Sequence, residues 1–299
     1  MFPPRGHRLE PAPPPSVSAM RPGPAAYPHP HPLTPTEHAA YERDGYHIAR
    51  GMFAPAAVTE MAEAFTALAS GGPVPGLSSL PPALTPGDPL AAWPRMLHPH
   101  AHPELPTHGV CMRWYLDPRI GAILRQLLGE EPIGTQSMFY FKPPGARGQD
   151  FHQDNFYLRV RPGTCIAAWM AVDPADQGNG GLRVVRGSHR LPTICPSQAD
   201  LSRSMAVEHV DIPPGMEVVD PVLAPGDVLF FNGQVIHGSE PNRSSDRFRR
   251  SFICHYMPES ATEIAKWYHL LQRFDGTRVE RTLTTGGGPC GALESKAAH

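Results

Sequence analysis

The chain has 299 residues, 40 % of them hydrophobic, with a formal net charge of -2 and a pI near 6.8. That is enough length for one large core, and all-β domains of roughly 200 to 250 residues are ordinary, so a second domain is not required. A near-neutral surface argues against nucleic-acid binding. No apolar run reaches the roughly 18 residues of a membrane helix, and MFPPRGHRLEPAPPPSV lacks the apolar core of a secretion signal.

Residues 1–33 hold much of the excess of proline, 38 in the whole chain where about 5 % is usual, and few large apolar side chains. Such a segment cannot bury enough surface to offset its ordering entropy, so a disordered tail is expected. The run Pro28-His29-Pro30-His31-Pro32 reads as a solvated linker rather than a metal site, as does the stretch from His98 to Pro103. Thr34-Pro35-Thr36-Glu37 supplies an N-cap, a proline in the first turn and a capping-box glutamate. A helix is predicted from there to Arg43, ended by Gly45, with a short strand over Tyr46 to Arg50. Val58, Met61, Ala62, Phe65 and Leu68 recur at helical spacing after Pro55, and Gly71-Gly72 stops that run. Residues 73–107, rich in Pro, Gly and His, read as a long loop. A further helix is capped by Asp117, carries Ile120, Ile123, Leu124, Leu127 and Leu128 on one face, and ends at Gly129.

From residue 133 the pattern turns to short β-rich runs: Ser137 to Phe141, Phe156 to Val160, Cys165 to Val172, Leu182 to Val185, Val228 to Phe231 and Ser251 to Tyr256. Their spacing predicts an antiparallel sandwich or barrel. A last helix is predicted after Ser260, with Glu263 as its capping-box residue and Ile264, Trp267 and Leu271 on one face; residues 276–299 are expected to be a C-terminal tail. The five cysteines, Cys111, Cys165, Cys195, Cys254 and Cys290, are scattered and odd in number. Free thiols in a reducing cytoplasm are the expectation.

Chemistry enters at Phe151-His152-Gln153-Asp154-Asn155. On a strand or its end, residues i and i+2 share a side, so His152 and Asp154 can face one ion. Alone, His-x-Asp is a common coincidence. Pro225-Gly226-Asp227 turns into the apolar run Val228 to Phe231, and His237 follows it. Two histidines and a carboxylate make a facial set for Fe(II), with three positions left open. Arg249 stands twelve positions beyond His237, and Ser251 two further, on the same side of a strand. A guanidinium and a hydroxyl suit the far carboxylate of a keto acid. The neighbours of Arg249, Arg247 and Arg250, read as solvated surface residues, since alternation sends Arg250 the other way. Asn179-Gly180 and His189 read as turn chemistry and His255 as structural, although alternation from Arg249, Ser251 and Ile253 could also turn His255 toward the cavity.

Together FKPPGARGQDFHQDN, DQGNGGLRVVRGSHR, PGDVLFFNGQVIHGS and PNRSSDRFRRS resemble the phytanoyl-CoA dioxygenase (PhyH) family over roughly residues 36–275. The resemblance implies a mainly β domain over residues 34–275, a double-stranded β-helix or jelly roll with flanking helices. It implies Fe(II) held by His152, Asp154 and His237, with 2-oxoglutarate and O₂ as co-substrates, and hydroxylation of a small molecule with release of succinate and CO₂. Arg249 matches the arginine that holds the 2-oxoglutarate C5 carboxylate, although a gap from His237 one residue longer than in many members leaves Arg247 as a competitor; Lys142 matches a lysine that contacts 2-oxoglutarate in some relatives, and Trp169 a pocket-lining aromatic. Halogenating relatives lack the carboxylate retained here as Asp154, which favours hydroxylation. Two rival classes are open on the residues: a cupin-like hydrolase or isomerase with a redox-inert metal, and a catalytically silent small-molecule binder. The substrate and oligomeric state are not legible.

Overall fold

A computed structural model describes residues 33–284 and residue 290. Its core is a pair of facing antiparallel sheets. The larger runs Tyr46–Ala49, Val228–Asn232, Ile166–Ala171, Ser251–Pro258, Pro132–Tyr140, Leu271–Arg273, Arg278–Val279, and Arg95–Leu97 also pairs with Pro132–Tyr140. The smaller runs Val218–Val219, Leu182–Val185, His237–Ser239, Gln149–His152. This is the expected double-stranded β-helix.

The pleat sorts the large sheet's side chains into two cores. Val228, Phe230, Ala168, Met170, Phe252, Cys254 and Phe139 face outward, where Val58, Met61 and Phe65 of the helix Pro55–Ser70 and Ile120, Ile123 and Leu124 of the helix Pro118–Leu128 cover them. The ring of Phe65 stacks on Phe139 at 4.2 Å. Leu229, Phe231, Trp169, Ile253, Met138 and Tyr140 face inward toward the small sheet. The helix Pro35–Asp44 begins with the predicted capping box between Thr34 and Glu37 and ends at Gly45 with φ 85°.

Several local expectations give way to tertiary contacts. The stretch Phe156 to Val160 is not a strand: Asp154–Leu158 forms a helical turn, because the chain must reverse after His152 and buries all five side chains in doing so. The helix expected after Ser260 is replaced by the short strands Glu263–Ala265 and Leu271–Arg273. Glu130 is the reason in part, since its carboxylate takes both the amide and the hydroxyl of Ser260 at 2.6 and 2.7 Å and leaves no free cap. Residues beyond 275 are not all tail. Arg278–Val279 extends the large sheet, and Thr282–Thr284 pairs in parallel with Glu263–Ala265. The long loop contains the strand Arg95–Leu97 and leads into an unforeseen helix, His108–Tyr115. Nor are all cysteines free: Cys195 and Cys290 form a disulfide, while Cys111, Cys165 and Cys254 are buried thiols. Sequence spacing hides a pair separated by 95 positions. The expected tail at residues 1–33 lies outside the described residues except for Leu33. No described helix is long and apolar enough to cross a membrane.

Three histidines enter the fold neutral. Burial pushes His98 down to about 4, His100 to about 3 and His237 to about 4, each from 6.5. The unfolded chain therefore binds more protons below pH 6.5, and stability falls as pH drops from there toward 4. Each histidine costs about 1 kcal/mol by pH 5.5. Thermal unfolding of the metal-free protein should show Tm falling steadily from pH 7 to pH 5; a flat profile contradicts the neutral, buried state.

Candidate metal centre

Two neighbouring strands at one edge of the small sheet, with the turn after one of them, bring the three candidate ligands together. His152 closes the strand Gln149–His152, Asp154 opens the turn that follows, and His237 opens His237–Ser239, where it lies directly opposite His152. Gly148 permits this close approach, since a Cβ there would lie 2.0 Å from the Ser239 carbonyl oxygen. Asp154 Oδ1 is 3.6 Å from His152 Nε2 and 3.5 Å from His237 Nε2, and all three residues are buried. Backbone carbonyls set both rings: His152 Nδ1 donates to Asp150 O at 2.7 Å and His237 Nδ1 to Val235 O at 3.0 Å. That tautomer turns each Nε2 lone pair toward the carboxylate, the orientation a metal requires. Gln149 Nε2 stands 3.2 Å from His152 Nε2. The donor set, two neutral imidazoles and one carboxylate on one side, fits Fe(II) and leaves the opposite side open.

Burial by itself would raise the Asp154 carboxyl, but His237, His255 and His152 together hold it well below the usual carboxylate range. Of the two places the sequence left open for His255, the structure has the one on the cavity side: its Nε2 lies 2.9 Å from Asp154 Oδ2, the carboxylate oxygen turned away from the other two rings. It faces the cavity by alternation with Ile253 and Ser251 on the strand Ser251–Pro258, a periodicity already visible in the chain. Aiming a metal-binding carboxylate is worth about 10- to 100-fold in metal affinity. His255→Ala should weaken Fe(II) binding by about that factor in an anaerobic titration, and His255→Asn should recover part of it.

Arg249 lines the same cavity as the triad, and Ser251 stands behind it as its hydrogen-bond partner. Arg249 Nη1 donates to Ser251 Oγ at 2.7 Å, and the guanidinium lies 5.3 Å over the ring of Trp169. Burial brings the guanidinium down to about 10, so it stays cationic at neutral pH. Met138, Tyr140, Trp169, Phe231 and Ile253 give the cavity shared by this cation and the triad its largely apolar wall. Arg247 is withdrawn from competition by its two-pronged pair with Asp176 at 2.6 and 3.0 Å. Arg250 is not solvated: it is buried against Asp173, at 2.7 and 2.8 Å. Lys142 does not reach into the cavity directly. Its ammonium donates to Gly180 O, Ser239 Oγ and Glu240 O at 3.0, 2.7 and 2.8 Å, so it ties three segments together and meets the cavity only through Ser239. Asn179 does serve a turn, accepting from Asp176 N and donating to Pro174 O, and His189 binds Glu42 O.

A jelly roll whose small sheet presents two histidines, with a carboxylate on the turn beside them, has the donor set of the non-haem iron oxygenase scaffold. The chain belongs to the phytanoyl-CoA dioxygenase family: the family model Phytanoyl-CoA dioxygenase (PhyH) matches residues 41–251. It is 31 % identical over 159 residues to mouse (Mus musculus) phytanoyl-CoA dioxygenase domain-containing protein 1, covering 48 % of this chain and 52 % of that one. It is also 31 % identical over 147 residues to rat (Rattus norvegicus) peroxisomal phytanoyl-CoA dioxygenase, covering 46 % and 43 %. The matched region thus spans about half the length of these curated relatives. Among solved structures the fold is similar to EctD from S. alaskensis in its apoform (TM-score 0.64, 22 % identity, 86 % of this chain and 90 % of that one). It is similar also to the epimerase SnoN in complex with Fe3+, alpha ketoglutarate and nogalamycin RO (TM-score 0.58, 23 % identity, 84 % and 95 %).

Proposed function

We propose that this protein is an Fe(II)/2-oxoglutarate-dependent oxygenase that hydroxylates a small molecule and releases succinate and CO₂. The observation that carries the reading is the pairing of the triad with Arg249 in one cavity. A buried guanidinium without a carboxylate partner among the described residues is costly unless a ligand supplies the counter-charge. Arg249, with Ser251, would take the C5 carboxylate of 2-oxoglutarate. His152, Asp154 and His237 would hold the metal, which supplies the activation of O₂. Trp169 and the apolar wall exclude water and stack the anchor. His255 keeps the carboxylate aimed. A hydrolase or isomerase with a redox-inert metal has no use for the anchor, and a silent binder none for neutral, pre-oriented imidazoles.

A cytoplasmic location is part of the proposal on the ground of the three free thiols, with the Cys195–Cys290 bond weighing against it; trapping of thiols at Cys195 and Cys290 in cell extracts decides, since a bond fully formed there argues for another compartment. For the activity, anaerobic addition of Fe(II) and 2-oxoglutarate should give the visible metal-to-ligand charge-transfer band, and admission of O₂ should then give succinate. A wild-type protein that binds Fe(II) but shows no such band overturns the reading.

A further inference from the structure

Among the described residues the buried lysines and arginines are Arg95, Lys142, Arg147, Arg249 and Arg250. A cation removed from water needs a counter-charge or a full set of acceptors. Arg147 has Asp88 at 2.9 Å, Arg250 has Asp173 at 2.7 Å, and Lys142 has three oxygen acceptors. Arg249 awaits a dicarboxylate in the reading above. Arg95 is left over. Its guanidinium has Ser79 Oγ at 3.3 Å and the Tyr140 phenol as hydrogen-bonding neighbours but no described carboxylate as an ion-pair partner, and its Nη1 is buried without a hydrogen bond.

The strand that carries Arg95 shows where the charge is aimed. Arg95–Leu97 pairs with Pro132–Tyr140 in the register Met96↔Phe139 and Leu97↔Met138. Met96 and Phe139 pack in the outer, helix-covered core, whereas Leu97 packs in the inner core with Met138 and Tyr140. Alternation puts Arg95 on the side of Leu97, facing inward beside two residues that line the metal cavity. The phenol of Tyr140 is under the influence of Arg95, Asp154 and Arg249 alike. The ring of Tyr268 lies 6.1 Å from that of His98, the residue that follows Leu97, and its buried hydroxyl has no hydrogen-bond partner.

We propose that Arg95 and the Tyr268 hydroxyl form a second anion subsite beside Tyr140, and that the molecule oxidised is a compact acid held there by its carboxylate or another oxyanion. The proposal rests on the oxygenase reading of the triad. A guanidinium fork matches an oxyanion with two parallel hydrogen bonds, and the phenol can add a third. The same geometry rejects neutral isosteres, because an amide would leave the buried cation uncompensated. Discrimination on the order of 10²-fold or more follows for a site built on such a pairing.

The test uses the protein loaded with Fe(II) and 2-oxoglutarate and offers matched pairs of small carboxylic acids and their primary amides, with the corresponding phosphonates, while O₂ uptake and succinate are followed. Acids should couple to succinate formation with kcat/KM on the order of 10²-fold above their amides. Coupling by phosphonates alone would assign the oxyanion to phosphorus rather than carbon. Arg95→Met should erase the preference mainly through KM, leave the charge-transfer band in place, and be partly rescued by Arg95→Lys. A residue that only braces the loop would instead lower Tm and leave the acid-to-amide ratio unchanged. Amides that couple as well as acids, the absence of any coupling acid, or a preference that survives in Arg95→Met would each overturn the subsite; the first two are read on the wild type, whether or not the variant folds. A normal band without discrimination sinks this proposal alone, whereas a wild type without the band sinks the oxygenase reading and the subsite's role in it.

Discussion

Replacing Asp154 with alanine should abolish the charge-transfer band and reduce succinate formation by at least on the order of 10³-fold, beyond the ~10²–10³ lost with a single electrostatic donor. The reason is the number of roles that converge on one side chain. Oδ1 lies within 3.6 Å of Nε2 of both His152 and His237, and Oδ2 binds His255. The carboxylate also balances the charge of a divalent ion in a buried place where no solvent substitutes for it. Removing it takes away a ligand and leaves His255 with no partner to orient. Circular dichroism should show the fold intact, since the alanine can keep its place at the start of the turn Asp154–Leu158. An undiminished band in Asp154→Ala would remove this residue from the metal centre and with it the assignment of the site.

Arg249→Leu separates binding from stability. Truncating one partner of a buried, hydrogen-bonded charge pair costs about 2–5 kcal/mol. The apparent affinity for 2-oxoglutarate should therefore fall roughly 30-fold to several thousand-fold. Arg249→Lys keeps the charge but not the fork, so it should fall between the variant and the wild type. The metal-free, ligand-free protein should behave in the opposite sense. There Arg249 is a desolvated cation held down to about 10, with Ser251 and the face of Trp169 as its partners and no described carboxylate. An apolar side chain of similar size relieves that cost, so Tm of the apo protein should stay level or rise. A weaker 2-oxoglutarate complex together with a clearly lower apo Tm would mean that Arg249 braces the fold and is not a ligand anchor.

The placement of Arg249 also shows why its neighbours were hard to rank from the chain alone. Arg247, Arg249 and Arg250 are almost contiguous, and alternation separates them only by face. Asp176 and Asp173, more than 70 positions away, neutralise the outer two and leave the middle one facing the cavity. Lys142 illustrates the reverse. A match of residue type pointed to 2-oxoglutarate, yet the carbonyls of Gly180 and Glu240, brought in by distant loops, take up two of its three donors.

What the sequence by itself determined was whatever depends on neighbours a few positions apart. The capping box of Thr34 and Glu37, the stripe of Pro118–Leu128, the inner strands and the His152–Asp154 pair all follow from local periodicity or spacing. Local order also suggested that His237, Arg249 and Ser251 lie along the later strands. Tertiary structure alone decided the features that need two remote segments at hydrogen-bonding distance. It put His237 opposite His152, set His255 on Asp154 across 101 positions, and joined Cys195 to Cys290. It made a helical turn of a strand-like run after His152 and replaced the helix expected after Ser260 with strands. It also turned Arg95 inward from a stretch that reads as loop. The physical reason is the same throughout. Local propensities amount to tenths of a kcal/mol per residue, whereas leaving a buried charge or polar group unmatched costs several, so at the site the long-range partners prevail.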